Sequence, residues 1–169
     1  MIIDLASIGR NPKRIEATIG SDDIELEDTV RLVSDVTFGG EVRRESSKTW
    51  LQGRIEAEVV ADCVRCVEAV EKRIEVDFED IFVDASAESG ENEIELEESE
   101  LDESLVEGGT IDLAEIVREQ LILATGERVF CKEDCKGLCP KCGGNRNLID
   151  CKCEENEIDP RWAALRNLN

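Results

Sequence analysis

Residues 54–78 read RIEAEVVADCVRCVEAVEKRIEVDF, and this stretch decides how the chain folds. Ahead of the cysteines, Ile55, Ala57, Val59 and Ala61 alternate with Arg54, Glu56, Glu58 and Val60; behind them, Ile74, Val76 and Phe78 alternate again. A period of two on both sides predicts two strands, each burying one face. Cys63-Val64-Arg65-Cys66 then caps a hairpin, with two sulfurs presented by one turn. Such a turn suits a metal knuckle. A thiol oxidoreductase instead places its first cysteine at a helix N-terminus, where the dipole lowers the thiol pKa.

Working outward, Val30, Leu32, Val36, Phe38 and Val42 continue the alternation over 30–42, interrupted at Ser34 and Gly40. Glu45-Ser46-Ser47-Lys48 reads as a turn, after which Trp50 and Leu51 enter the strand that ends near Cys63. A third long strand leaves Cys66 toward Val83, Arg14 to Ile19 supply a short one, and Gly53 marks an expected bulge. At Asp112 the period changes. Asp112 as cap with Glu115 three residues on, an apolar face of Leu113, Ile116, Val117, Leu121 and Ala124, and Gly126 as terminator predict a helix that closes the β core. Asp159-Pro160 opens a second, short helix carrying Trp162, Leu165 and Leu168. The fold class is α+β: an antiparallel β-meander or small barrel in residues 1–83, an acidic flexible loop in 84–109, a packing helix in 110–126, and a cysteine-rich tail with a terminal helix in 127–169.

With 169 residues the chain has room for one principal core and an appendage. Its formal charge of −21 is uneven: residues 84–109 hold eleven Asp or Glu and no Lys or Arg, whereas 128–169 hold eight Lys or Arg against seven Asp or Glu. Like charges over 84–109 repel when compacted, which predicts a solvated loop. The overall charge argues against nonspecific nucleic-acid binding, which rests on cations displacing phosphate counterions. It leaves room for a local basic patch.

Six of the eight cysteines lie at Cys131, Cys135, Cys139, Cys142, Cys151 and Cys153; with Cys63 and Cys66 they divide into two sets of four. The start Met1-Ile2-Ile3-Asp4-Leu5 lacks a basic segment followed by a long apolar one, and no run of 18 apolar residues occurs, so a cytoplasmic chain without membrane contact is expected. In a reducing compartment clustered cysteines are metal ligands or catalytic thiols more often than disulfides. Zinc is the expected ion, with iron–sulfur clusters as the minor alternative. The preferred grouping joins Cys139, Cys142, Cys151 and Cys153 in one site and Cys63, Cys66, Cys131 and Cys135 in another, which would tether the tail to the β region. An interleaved grouping, or one zinc with spare thiols, stays open on spacing alone.

The sequence contains no histidine, which removes Ser-His-Asp and Cys-His mechanisms and the His-bearing hydrolytic zinc site. Cys131-Lys132-Glu133 matches the C-x-E of zinc deaminases, but Cys139-Pro140-Lys141-Cys142 does not stand in the required order. No Gly-rich phosphate loop is present, and neither an enzyme nor a small-molecule substrate is expected. Lys132, Lys136, Lys141, Arg146 and Lys152 are interleaved with the cysteines, either to offset thiolate charge or to face RNA or an acidic protein.

Asp62-Cys63-Val64-Arg65-Cys66, Ile111-Asp112-Leu113 through Glu119-Gln120-Leu121, Cys131 to Gly143 as CKEDCKGLCPKCG, and Ile158-Asp159-Pro160-Arg161-Trp162-Ala163-Ala164-Leu165 together resemble the YceD-like proteins, named for large ribosomal RNA subunit accumulation. The likeness spans most of the chain from residue 50 onward. Asn145-Arg146-Asn147 departs from it, since the family typically has leucine between the asparagines. The resemblance implies a role in accumulation, processing or stability of large-subunit ribosomal RNA, without an established reaction. It also implies that some relatives keep the C-x2-C while lacking most of the tail. The expected partners are precursor ribosomal RNA or ribosome-assembly proteins. Arg65, Lys136, Lys141, Arg146 and Lys152 are the candidates to face them, and each is equally an ordinary solvated charge. The rival reading is an adaptor whose acidic surface captures a basic ribosomal protein or processing enzyme.

Overall fold

The computed structural model describes residues 1–84, 103–106, 108–126, 128–153 and 161. In chain order its elements are β1 (Ile2–Asp4), β2 (Lys13–Ile19), β3 (Val30–Leu32), β4 (Val36–Glu45), β5 (Lys48–Asp62), β6 (Ala69–Asp84), β7 (Glu103–Val106), β8 (Thr110–Asp112) and α1 (Leu113–Thr125). The hairpin read from residues 54–78 is the spine of the molecule. Strands β5 and β6 pair antiparallel without interruption from Lys48↔Val83 to Asp62↔Ala69. Ile55, Ala57, Val59, Ala61 and Ile74 are buried, while the intervening Arg54, Glu56 and Glu58 are exposed.

The run over 30–42 forms two strands, not one. Strand β3 pairs with β5 as far as Leu32↔Val59, and β4 pairs with the same strand from Thr37↔Glu56. Four residues, 33–36, therefore face two, 57–58, and the excess leaves the ladder with Asp35 accepting a hydrogen bond from the Ser21 amide at 3.1 Å. A surplus of two keeps the side chains on their original faces, which is why the alternation runs through the break. The turn at Ser46-Ser47 is as expected, with Glu45 opposite Lys48 and Ser46 at φ 57.

Gly53 is not a bulge. It sits in register between Gly40 on β4 and Phe78 on β6. Its missing side chain is filled by Phe38, whose ring covers both glycines and meets the Phe78 ring with centroids 6.0 Å apart.

The main sheet runs β2-β4-β5-β6-β7, with β3 on the same edge of β5 as β4. Strands β2 and β7 end this path without pairing to each other, so among the described residues the sheet is open and no barrel closes. Strand β7 lies within the stretch read as acidic loop: it pairs parallel to the end of β6, buries Val106 and forms an ion pair from Glu103 to Lys48. The remaining positions 85–102 and 107 of that stretch, and all of the expected helix from Asp159 except Arg161, lie outside the described residues.

Helix α1 follows its sequence signals. Asp112 accepts from the Ala114 amide at 3.0 Å, and Gly126 ends the helix at φ 78 with its amide on the Ile122 carbonyl. Glu115 turns to Arg118, 3.3 Å away. Leu113, Ile116, Val117 and Leu121 join the buried cluster beneath the sheet, and Lys72 of β6 donates to the free carbonyls of Ala124 and Thr125 at 3.1 and 3.0 Å, complementing the negative end of the helix. The first residues complete this core: β1 pairs with β8, and Ile3, Leu5 and Ile8 are buried.

A methyl group at position 53 has no room beneath the Phe38 ring. Gly53→Ala is expected to lower stability by about 1–3 kcal/mol, the usual cost of overpacking, read as a lower midpoint of denaturant unfolding.

Candidate metal centre

The hairpin tip and the tail form two matching turns. In the first, the Val67 amide donates to the Cys63 carbonyl at 2.8 Å, and Val67 stands at φ 58. In the second, the Gly143 amide donates to the Cys139 carbonyl at 2.8 Å, and Gly143 stands at φ 69. Each turn needs a left-handed residue directly after its second cysteine. Glycine meets that need without cost; a β-branched valine does so under strain. The tail is laid against the first turn by backbone bonds from Val64 N to Val129 O and from Leu138 N to Arg65 O, both 3.0 Å.

All eight cysteines are free thiols. Their sulfurs fall into two groups, Cys63, Cys66, Cys131 and Cys135, and Cys139, Cys142, Cys151 and Cys153, with every sulfur of a group within 4.8 Å of the others. This is the grouping that the spacing favoured. In the first group Cys63 Sγ is 3.8 Å from Cys135 Sγ and Cys66 Sγ is 3.6 Å from Cys131 Sγ. A disulfide would hold them at about 2.05 Å, whereas four thiolates around an ion at about 2.3 Å lie about 3.8 Å apart. The donor set therefore fits one tetrahedral cation per group. Cys63, Cys66 and Cys135 are buried at 1, 5 and 6% exposure, while Cys142 in the second group is exposed.

The electrostatics of each quartet call for a positive charge. Burial acts to raise the Cys63 thiol, but backbone amides of Cys131, Arg65 and Cys66 outweigh it and bring the group down to about 6. In the second turn, amides of Cys142 and then Lys141 bring Cys139 to about 6. Cys131 and Cys153 move the other way. Burial, followed by the adjoining sulfurs, pushes Cys131 up to about 12, and the Cys142 and Cys139 sulfurs push Cys153 up to about 12. In the first group Cys63 is prepared by its turn and Cys135 by the Asn147 amide, while Cys66 and Cys131 resist losing their protons beside them; in the second Cys139 is prepared, while Cys151 and Cys153 resist. A bound cation removes that conflict, because only thiolates ligate it.

Arg65 has a structural task. Its Nη1 donates to the carbonyls of Glu133 and Cys135 at 3.1 and 3.2 Å, and its guanidinium lies 4.5 Å from the centroid of the Phe130 ring. Lys136, Lys141 and Lys152 are exposed on the tail and Arg146 is half-buried. Sequence reasoning missed Asn147, whose amide donates to Cys135 Sγ at 3.2 Å and is the foremost influence lowering that thiol's pKa. The available signal was the pair Asn145 and Asn147 beside cysteines, noted only as a departure from a family pattern.

The profile of the family described as "Large ribosomal RNA subunit accumulation protein YceD" matches residues 51–169, which contain both quartets. An uncharacterized protein of Mycobacterium tuberculosis is 29% identical over 181 residues, covering 98% of this chain and 79% of that protein. An uncharacterized protein of Bacillus subtilis is 28% identical over 145 residues, 85% of this chain and 80% of its own length. The chloroplastic large ribosomal RNA subunit accumulation protein YCED homolog 1 of Arabidopsis thaliana is 36% identical over 58 residues, 34% of this chain and 18% of that protein. No solved structure matches significantly.

Two outcomes are expected from this geometry. Cys63→Ala and Cys131→Ala each remove the same metal ion, and Cys139→Ala and Cys151→Ala remove the other, as read by metal analysis of the purified variants. Val67→Gly relieves the left-handed valine and raises stability by about 1 kcal/mol, with metal content unchanged, since Val67 is 62% exposed and loses little packing.

Proposed function

Because the chain belongs to the YceD family of large ribosomal RNA subunit accumulation proteins, we propose that it is a zinc-stabilised, non-enzymatic factor in the accumulation, processing or stability of that RNA. Zinc is the choice because each quartet offers sulfur alone, at separations that suit a tetrahedral ion. Four sulfurs fill a tetrahedral ion's coordination, whereas a catalytic zinc keeps a position open for water or substrate. The ions would therefore hold shape, and the chemistry of the protein would be that of a presented surface.

The observation that carries this reading is the placement of Lys136, Lys141, Arg146 and Lys152 on the segment that the two quartets frame. Without ions the tail has little apolar area to order it; with them its cations keep fixed spacings. RNA contact is confined to this face, since the chain as a whole carries −21 and its field elsewhere repels phosphate. Arg65 is better explained by its bonds to the tail and is left out of the proposed contact set. The place of action is the cytoplasm; no helix among the described residues is long and apolar enough to cross a membrane.

A second reading, an adaptor for a basic ribosomal protein or processing enzyme, is favoured by the eleven acidic residues of 84–109. One experiment separates the two. Precursor large-subunit RNA and purified basic ribosomal proteins are titrated against the metal-loaded protein across a range of salt. Direct contact through the tail predicts RNA affinity that falls with salt by a log–log slope of about −0.7 per phosphate contacted, and that is lost in a Lys136→Glu/Lys152→Glu variant. Affinity for the basic proteins with none for RNA would overturn direct contact in favour of the adaptor.

A further inference from the structure

The loop between Cys142 and Cys151 belongs in sequence to the second quartet, yet its side chains serve the first. Asn147 Nδ2 donates to Cys135 Sγ at 3.2 Å, and Asn147 Oδ1 accepts from the Lys136 amide at 2.9 Å. Asn145 holds Asn147 in place: its Oδ1 accepts from both the backbone amide and the side-chain amide of Asn147 at 2.9 Å. Its own Nδ2 reaches Glu68, beside the hairpin turn, at 3.0 Å. The backbone is pinned on either side by Arg146 N on Gly137 O and Cys139 N on Gly144 O, both 2.9 Å. The two ends of this loop are the two halves of the second quartet. Its two ends thus carry the sulfurs of the second site, and its side-chain hydrogen bond is delivered to the first.

We propose that the two sites are coupled through Asn147, so that closing the second quartet on its cation raises the affinity of the first quartet for its own. This rests on the reading that both quartets hold cations. Hydrogen bonds from outside a metal's ligand set orient the ligands, and their loss typically weakens binding 10- to 100-fold. Coupling of this kind is reciprocal, so filling the first site also favours the second. The two sites differ in access. Three cysteines of the first are buried and Cys131 is half-buried, whereas the second buries only Cys139 and includes the exposed Cys142, so the second is the one that a chelator or a metal-delivering thiol reaches more readily. Stripping the outer ion would then loosen the inner one, and with it the attachment of the tail to the hairpin. Asn147 acts here as a positioning residue.

The test is cobalt(II) titration of the full chain against a competing chelator, following thiolate-to-cobalt absorption. A Cys63→Ser/Cys131→Ser variant assigns which transition belongs to which site, and circular dichroism checks that the sheet and helix persist. The wild type is expected to bind two ions. Cys151→Ser/Cys153→Ser should keep the first site with about 10-fold weaker affinity or worse. Asn147→Leu, which leaves all eight sulfurs in place, should weaken the first site to a similar degree. Combining the changes should add little, because both remove the same interaction. A wild type that binds two ions, with first-site affinity unchanged in Cys151→Ser/Cys153→Ser or in Asn147→Leu, would overturn the coupling alone. A wild type that takes up no cobalt would overturn the metal reading beneath it.

Discussion

The structure turns on four thiols drawn together from two distant parts of the chain. Cys63 and Cys66 come from the tip of the β5–β6 hairpin, and Cys131 and Cys135 from the start of the tail. Between them lie the end of the sheet and the whole of α1. Closing a segment of that length costs conformational entropy, though the cost grows only slowly with length. Sulfurs packed this closely also resist ionising together. Backbone bonds between the hairpin tip and the tail, the Arg65 bridge and the ring of Phe130 bring the two parts into position. What they assemble is a cage of four sulfurs that could hold one cation.

The sheet follows from other causes, and most of it was legible. The period of two across residues 54–78 gave the long hairpin, because each strand buries one face only. The caps at Asp112 and Gly126 gave α1 nearly to the residue. Where the reading failed, the reason was physical. A surplus of two residues at 33–36 leaves side-chain parity intact, so alternation could not reveal that 30–42 is two strands. Gly53 was taken for a bulge because glycine in a strand often marks one, but here it makes room for a ring supplied by Phe38, which no local pattern announces. Strands β1, β7 and β8 are each of three or four residues, too short for a period to be seen, and they form only because partners lie ready.

The grouping of the cysteines was the more readable part. Cysteines in C-x2-C and C-x-C pairs offer few economical groupings, and the two quartets follow the preferred one. What spacing could not convey was the support around them. Arg65 looked like a surface cation and is tied to carbonyls of the tail. Asn147 looked like part of an ordinary loop and donates to a sulfur. Arg65 acts on a segment remote in sequence and Asn147 across the fold of the tail onto a cysteine of the other quartet, contacts that no periodic pattern announces. Filled with divalent ions, two closed thiolate quartets would carry about −2 each, a charge that the lysines spread among the cysteines would offset. In a chain of charge −21, residues 128–169 hold eight Lys or Arg against seven Asp or Glu, and the proposed RNA contact rests on that local balance.

The account depends on the cysteines being ligands in closed, all-sulfur sites. X-ray absorption at the zinc edge of the protein purified without added metal measures this most directly. The account predicts a single shell of four sulfurs at about 2.3 Å and no nitrogen or oxygen neighbour. A shell with oxygen or nitrogen in it, or cysteines carrying no metal at all in a folded protein, would contradict it.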